Sequence, residues 1–156
     1  MSTERLQSLG AQLRRVHDRL RRALELSREA IERGEPGQDL TRDLSLYCVG
    51  FCAALDGHHR SEDLALFDLV LEHRPDLEPA VDKLKQDHSM LGYLIADLQQ
   101  ALDRGLAPGP ALRHLDGIGS IMESHFRYEE RQLLELLESI EAAEDATAEQ
   151  LFGELA

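Results

Sequence analysis

The sequence predicts an all-α protein, folded as an up-down-up-down antiparallel four-helix bundle with a short C-terminal extension. Three observations carry this expectation. Leu, Ala, Glu, Arg and Asp dominate a 156-residue chain in which aromatics make up 4% and tryptophan is absent, a composition that favours helices over strands. Helix breakers divide the chain into four long segments: GEPG at 34–37, RPD at 74–76 and RGLAPGP at 104–110. Connections this short between segments this long force consecutive helices to turn back on one another.

Helix one runs from about Thr3 to Arg33, with a core stripe at three- and four-residue steps: Leu6, Gly10, Leu13, His17, Leu20, Leu24, Ser27, Ile31. Helix two runs from about Asp39 to His73 and presents Leu40, Leu44, Tyr47, Phe51, Leu55, His58, Glu62, Leu66 and Leu69. Helix three, about Leu77 to Arg104, presents Leu77, Val81, Leu84, His88, Leu91, Ile95, Leu98 and Leu102. Helix four, about Pro110 to Ala142, presents Ala111, Leu115, Ile118, Met122, His125, Glu129, Leu133, Leu136 and Ile140. Residues 1–142 thus form one helical domain, and residues 143–156 are an acidic tail or short helix. With 42% hydrophobic residues the chain can bury a core without disulfide staples.

Charge and termini exclude several functions. Seventeen basic against thirty acidic side chains leave a formal charge of -13, which repels nucleic-acid phosphates and anionic lipid surfaces, so neither is an expected partner. The first twenty residues, MSTERLQSLGAQLRRVHDRL, contain no continuous apolar run; no signal peptide or membrane span is expected, and the expected location is cytoplasmic. Cys48 and Cys52, four apart on one helix, suit neither a disulfide nor a zinc pattern and read as small apolar core residues.

Every core stripe is interrupted by histidine near its middle. At a rise of roughly 1.5 Å per residue, His17, His58, His88 and His125 fall within about 6 Å of one height in the bundle. Four imidazoles therefore converge on one layer. Two of them have a glutamate four residues later, His58 with Glu62 and His125 with Glu129, a spacing that puts nitrogen and carboxylate on the same helix face. Buried glutamate requires a compensating positive charge, and no Lys or Arg lies on any of the four stripes. Protonated histidines could provide it in a metal-free polar layer. Four nitrogens and two carboxylates suit a pair of first-row metal ions better, with each glutamate bridging, two histidines on each ion, and positions left for a bridging oxygen and an exogenous ligand. Iron fits such donors in both of its common oxidation states.

His17, HHRSED at 58–63, His88 in QDHSML and HFRYEE at 125–130, in that order on four helices, together resemble the hemerythrin-like HHE cation-binding domain over about residues 10–142. The resemblance implies a non-haem di-iron centre, two iron ions joined by an oxo or hydroxo bridge, with His17, His58, Glu62, His88, His125 and Glu129 as ligands. It also implies a small partner such as peroxide, nitric oxide or dioxygen, in a sensing or detoxifying role. A catalase- or peroxidase-like activity would fit that role; iron sensing or holding through a protein partner is the alternative. The oxygen-carrying hemerythrins have a further histidine four residues after the one on helix three, where this chain has Gly92. Their last carboxylate follows its histidine by five residues, whereas Glu129 follows His125 by four. Turnover of an oxidant, with exchangeable positions on both irons, is therefore expected in place of reversible oxygen carriage.

The remaining candidates read as peripheral. His59 has Asp63 four residues on, but that pair shares a polar flank with Asp56 and Arg60, so His59 is expected at the rim of the site or just behind its ligands. Asp63 and Glu130 read as exposed acids, the other option being that they orient ligand histidines. Tyr93 and Tyr128 read as packing residues near the open position. His73 sits at a helix end, and His114 is about 16 Å along the axis from His125.

Overall fold

The computed structural model describes residues 8–32, 40–140 and 151–152. Helix α1 spans Leu9–Glu32 and α2 spans Leu40–Ser61. A π-helical turn, Glu62–Leu66, continues α2 directly into α3, Phe67–His73, so these three pieces form one rod. After a 3₁₀ turn at Pro75–Leu77 come α4, Glu78–Asp103, and α5, Pro108–Glu138. The result is an all-α four-helix bundle in which α1 packs on α2 and α5, and α4 packs on the same two. Among the described residues, no helix is long and apolar enough to cross a membrane.

Ion pairs give the directions of two helix pairs. Arg14 meets Glu138, Arg21 meets Glu123 and Arg28 meets Asp116, so α1 and α5 run antiparallel. On the other side Lys83 lies over the Tyr128 ring and Asp87 contacts His125, so α4 and α5 also run antiparallel. These pairs are largely exposed and add little stability individually. The core does most of the work, with Leu13, Leu20, Leu55, Leu66, Phe67, Leu84, Leu91, Leu115, Phe126 and Leu133 fully buried.

Local chemistry sets the helix ends. Helix α4 closes on a Schellman turn: Gly105 adopts φ 85°, its N–H donates to the Leu102 carbonyl at 3.0 Å, and the Leu106 N–H donates to Ala101 at 3.1 Å. Helix α5 begins at Pro108, two residues earlier than its sequence suggests. Both Pro108 and Pro110 fall in its first turn, where a missing N–H leaves no bond unmade. Two close approaches hold α1 against α5: a Cβ on Gly10 would lie 2.7 Å from Glu138 Cγ and 3.0 Å from its backbone nitrogen, and one on Gly119 would lie 2.7 Å from Leu24 Cδ2.

The core stripes match on α1 and α4, where Leu13, His17, Leu20, Ser27, Ile31, Val81, Leu84, His88, Leu91, Ile95, Leu98 and Leu102 are buried. Two stripes drift by one residue. On the second rod Val70 is buried in place of Leu69, because the π turn inserts an extra residue per turn: the Phe67 N–H bonds to the Glu62 carbonyl, five residues back. On α5 Leu137 replaces Leu136 at the core. The expected core positions Leu6, Leu40, Leu44 and Tyr47, together with Cys48, lie outside the described side chains. Cys52 is fully buried.

The C-terminal extension is not detached from the bundle. Leu151 and Phe152 are 2% and 0% exposed and belong to the same apolar cluster as Leu55 and Phe126.

Candidate metal centre

Seven donor residues meet at the middle of the bundle. α1 supplies His17, the second rod supplies His58, His59 and Glu62, α4 supplies His88, and α5 supplies His125 and Glu129; all seven are buried. Their donor atoms fall into two groups, each with its atoms within 4.8 Å of one another: His59, Glu62, His88 and His125, and His17, His58, Glu62 and Glu129. Glu62 belongs to both. Glu129 also spans the gap, with Oε1 at 3.4 Å from His17 Nε2 and Oε2 at 3.3 Å from His125 Nε2.

The outer nitrogens of three of the rings are tied down. His58 Nδ1 donates to the Phe152 carbonyl at 2.7 Å, His88 Nδ1 to Asp63 Oδ1 at 2.9 Å, and His125 Nδ1 to Asp87 Oδ2 at 3.1 Å. His17 Nδ1 lies 3.4 Å from Glu130 Oε1, and Glu130 is itself approached by Arg21 at 3.5 Å. Carbonyl and carboxylate oxygens only accept, so each such bond puts the proton on Nδ1 and leaves Nε2 as a bare acceptor. Those bare nitrogens all face inward.

Inside, acceptors confront acceptors. His88 Nε2 and His125 Nε2 approach to 3.0 Å, and His58 Nε2 lies 3.2 Å from Glu62 Oε1. Both ring nitrogens of His17, the Nε2 atoms of His58 and His59, and both oxygens of Glu62 and Glu129 are buried without an aligned hydrogen bond. Orphaned acceptors at this density are costly unless a cation sits among them. Metal–ligand bonds of about 2.0–2.2 Å place neighbouring donors about 3 Å apart, which is the spacing seen here. The residues therefore fit a metal pair.

Electrostatics point the same way. Burial, and then the nearby His17 charge, holds His58 down at about 3, and burial with the surrounding His88, His58 and His125 keeps His59 well below its ordinary value, so both rings favour the neutral form that a metal ion requires. Burial and the Glu129 charge push Glu62 well above the carboxylate range. Burial would raise Glu129 as well, but its contacts with Glu62, His125 and His17 outweigh that and hold it low. His17 moves up against its burial because Glu129 and Glu130 flank it. Without a cation, Glu62 is thus driven toward its neutral form while Glu129 keeps its charge; a metal ion would supply the missing positive charge.

A scan of family models matches the hemerythrin HHE cation-binding domain over residues 9–151. The chain belongs to the hemerythrin HHE cation-binding family. No curated protein and no solved structure matches it. Membership covers nearly the whole chain, and the match runs past residue 142, where the bundle was expected to end, up to Leu151.

The six ligand positions expected from the sequence, His17, His58, Glu62, His88, His125 and Glu129, are brought together in this HHE domain. His59 is the correction. It was expected at the rim or just behind the ligands, but it is 4% exposed, stacks on His88 with ring centroids 3.9 Å apart, and joins the His88 and His125 group. Successive helix residues differ by about 100°, and a core-facing stripe is about that wide, so two adjacent histidines can both face inward. The doublet HH at 58–59 was the available signal. Asp63 and Glu130 are partly buried partners of ligand rings, not idle surface acids. Asp87 was missed; it stands one residue before His88, yet it serves His125 across the helix pair.

Other candidates stay outside both groups. Tyr93 is 76% exposed, and the Tyr128 ring carries the Lys83 ammonium at 4.3 Å. His73 Nδ1 donates to the Leu69 carbonyl on the surface. Gly92 is half-buried, and a Cβ there would meet nothing within 4 Å, so the position beside His88 is open.

Proposed function

We propose that this HHE domain holds two iron ions and presents one of them to a small oxidant: peroxide, nitric oxide or dioxygen. The observation that supports this is the unequal donor inventory. Three histidines, His59, His88 and His125, serve one group, and two, His17 and His58, serve the other, while Glu62 and Glu129 reach both. A pair of redox-active ions in this cavity supplies one- and two-electron chemistry at an open coordination position.

The chain's own residues do the rest. Asp63, Asp87 and the Phe152 carbonyl hold His88, His125 and His58 in the tautomer that turns Nε2 inward, while Glu130 stands 3.4 Å from His17 Nδ1. Phe126, stacked on His17 at 3.8 Å, and Phe67, 5.5 Å from His88, surround the donors with apolar surface and keep bulk water away. With fewer histidines, the His17 and His58 side has more coordination positions open to a ligand. This replaces the expectation of two equivalent open positions, which counted four histidines.

Reversible binding of dioxygen is the second reading, and His59 favours it. His59 provides a fifth histidine from another helix in place of the one absent at Gly92, while the four-residue spacing from His125 to Glu129 still departs from the oxygen carriers.

Anaerobic loading with ferrous iron followed by metal analysis and spectroscopy tests both readings. Two irons per chain, oxidised by air and decomposing added peroxide, support the oxidant reading. A dioxygen complex that reverses on removing oxygen, without peroxide loss, supports the second. One tightly held zinc under iron-replete conditions contradicts both.

A further inference from the structure

We propose that the C-terminal pair Leu151–Phe152 is a positioning element of the metal centre, whose backbone carbonyl fixes His58 and so retains the ion held by His17 and His58. The inference rests on the two-ion reading above for its metal consequence, but its geometric part concerns the chain alone.

His58 differs from the other ring donors in how its outer nitrogen is held. His88, His125 and His17 each face a carboxylate, Asp63, Asp87 and Glu130, on a helix of the bundle. His58 Nδ1 instead donates to a main-chain carbonyl 94 residues away in sequence, and at 2.7 Å this is the shortest of the four contacts. A carbonyl can only accept, so the bond fixes the tautomer and aims the bare Nε2 at Glu62 Oε1. The acceptor's position is set by side chains with no polar role: Leu151 and Phe152 are buried in the same core cluster that holds Leu55 and Phe126. Phe126 in turn stacks on His17, the other histidine of the same group. Both imidazoles of that group are therefore supported by one apolar assembly that includes the chain's last described residues.

Two consequences distinguish positioning from ordinary packing. Undocking the pair removes the His58 acceptor and uncovers that ring, while Asp63 and Asp87 continue to hold His88 and His125. The loss should fall on one ion. Conversely, an ion bound through His58 favours the docked segment by the same factor, because coupling between two binding events is reciprocal.

The test compares the full chain with a deletion of residues 151–156, with Phe152→Leu, which keeps carbonyl and apolar bulk, and with Leu137→Ala. Leu137 is fully buried about 12 Å along α5 from Glu129, and its truncation loosens the core without touching the centre. Chains loaded with ferrous iron are challenged with excess chelator. The expected result is that the deletion releases one of two ions ten- to a hundred-fold faster while the other leaves at the full-chain rate. Phe152→Leu should restore slow release, and Leu137→Ala should lower the melting temperature without changing release. Unchanged release in the deletion, or equal acceleration by Leu137→Ala, overturns the proposal. Nitrogen-15 NMR of the metal-free chain gives a second, metal-independent readout: a His58 Nδ1–H protected from exchange in the full chain and lost in the deletion. A persistent Nδ1–H overturns the proposal even where two ions bind, and a full chain binding fewer than two ions fails the two-ion reading while leaving the NMR result to decide this one. Should the deletion not fold, Phe152→Ala is read in the same two ways.

Discussion

His59 stacks on His88, ring centroids 3.9 Å apart and planes 11° from parallel, although the two come from different helices. Each ring then has its edge toward His125: His59 sits T-shaped to it at 5.1 Å and His88 tilted at 68° and 4.7 Å. Three imidazoles in this arrangement form one wall of the site.

The first prediction follows from that wall. His59→Ala should release the ion shared with His88 and His125 and retain the other, so stoichiometry falls from two to one after dialysis against a weak chelator. His73→Ala, on an exposed ring bonded to the Leu69 carbonyl, should leave it at two. Full retention by His59→Ala would show that His59 only packs.

Asp87→Ala removes the acceptor for His125 Nδ1 without removing any inward donor. Loss of such an outer partner typically costs 10- to 100-fold in metal affinity. Competition against a chelator of known affinity should show a drop in that range, with helical circular dichroism unchanged.

Acid should destabilise the metal-free chain from pH 6.5 downward, with Glu62, raised when folded, opposing part of the fall. His58, held at about 3 when folded, regains an ordinary value near 6.5 on unfolding. The unfolded chain therefore binds the extra proton, so stability is complete above pH 6.5 and lost as pH falls through the window toward about 3. One such histidine contributes a slope of up to about 1.4 kcal/mol per pH unit, and His59 acts in the same direction. His17, raised when folded, has the opposite sign: its contribution is present below 6.5 and fades as pH rises through its folded value. Urea midpoints measured from pH 6.5 to 5 should fall in the parent, and His58→Gln should flatten the fall by about one proton.

Glycine positions separate close packing from idle flexibility. Gly117 has open space around its would-be Cβ, so Gly117→Ala should stabilise the chain by up to about 1 kcal/mol through helix propensity. Gly10→Ala would press on the Glu138 backbone, which cannot swing aside, and should be destabilising by about 1–3 kcal/mol despite the same propensity gain. Thermal melts of the two variants should move in opposite directions.

The four-rod architecture was legible because periodicity and breakers are local signals. GEPG, RPD and RGLAPGP bracket the rods, and the described residues of the α1 and α4 stripes are buried except Leu24 and Leu77, which pack half-buried against the core. Six of the seven converging donors were legible from spacing, since His-x3-Glu puts both groups on one face. His59 was not, because a stripe drawn as a line has no room for adjacent residues, while the true core face is a band. Asp87 was hidden by its own helix, since its partner His125 lies 38 residues away on α5. The Phe152 carbonyl has no sequence signature: any residue there carries one, and only tertiary docking makes it an acceptor.

The widened turn at Glu62–Leu66 divides the second rod into two screws of different phase. Upstream, the thread is cut so that His58, His59 and Glu62 point at the centre; downstream, it is cut so that Phe67 and Val70 point at the floor beneath it. Tightening that turn into continuous α-helix with every residue kept would mend the backbone ladder and at the same time rotate one half by about 100° against the other, bringing Leu69 to the place of Val70. The rod could then satisfy its metal donors or its hydrophobic floor, but not both. The irregularity is a clutch between two registers, and a locally better helix would make a worse protein.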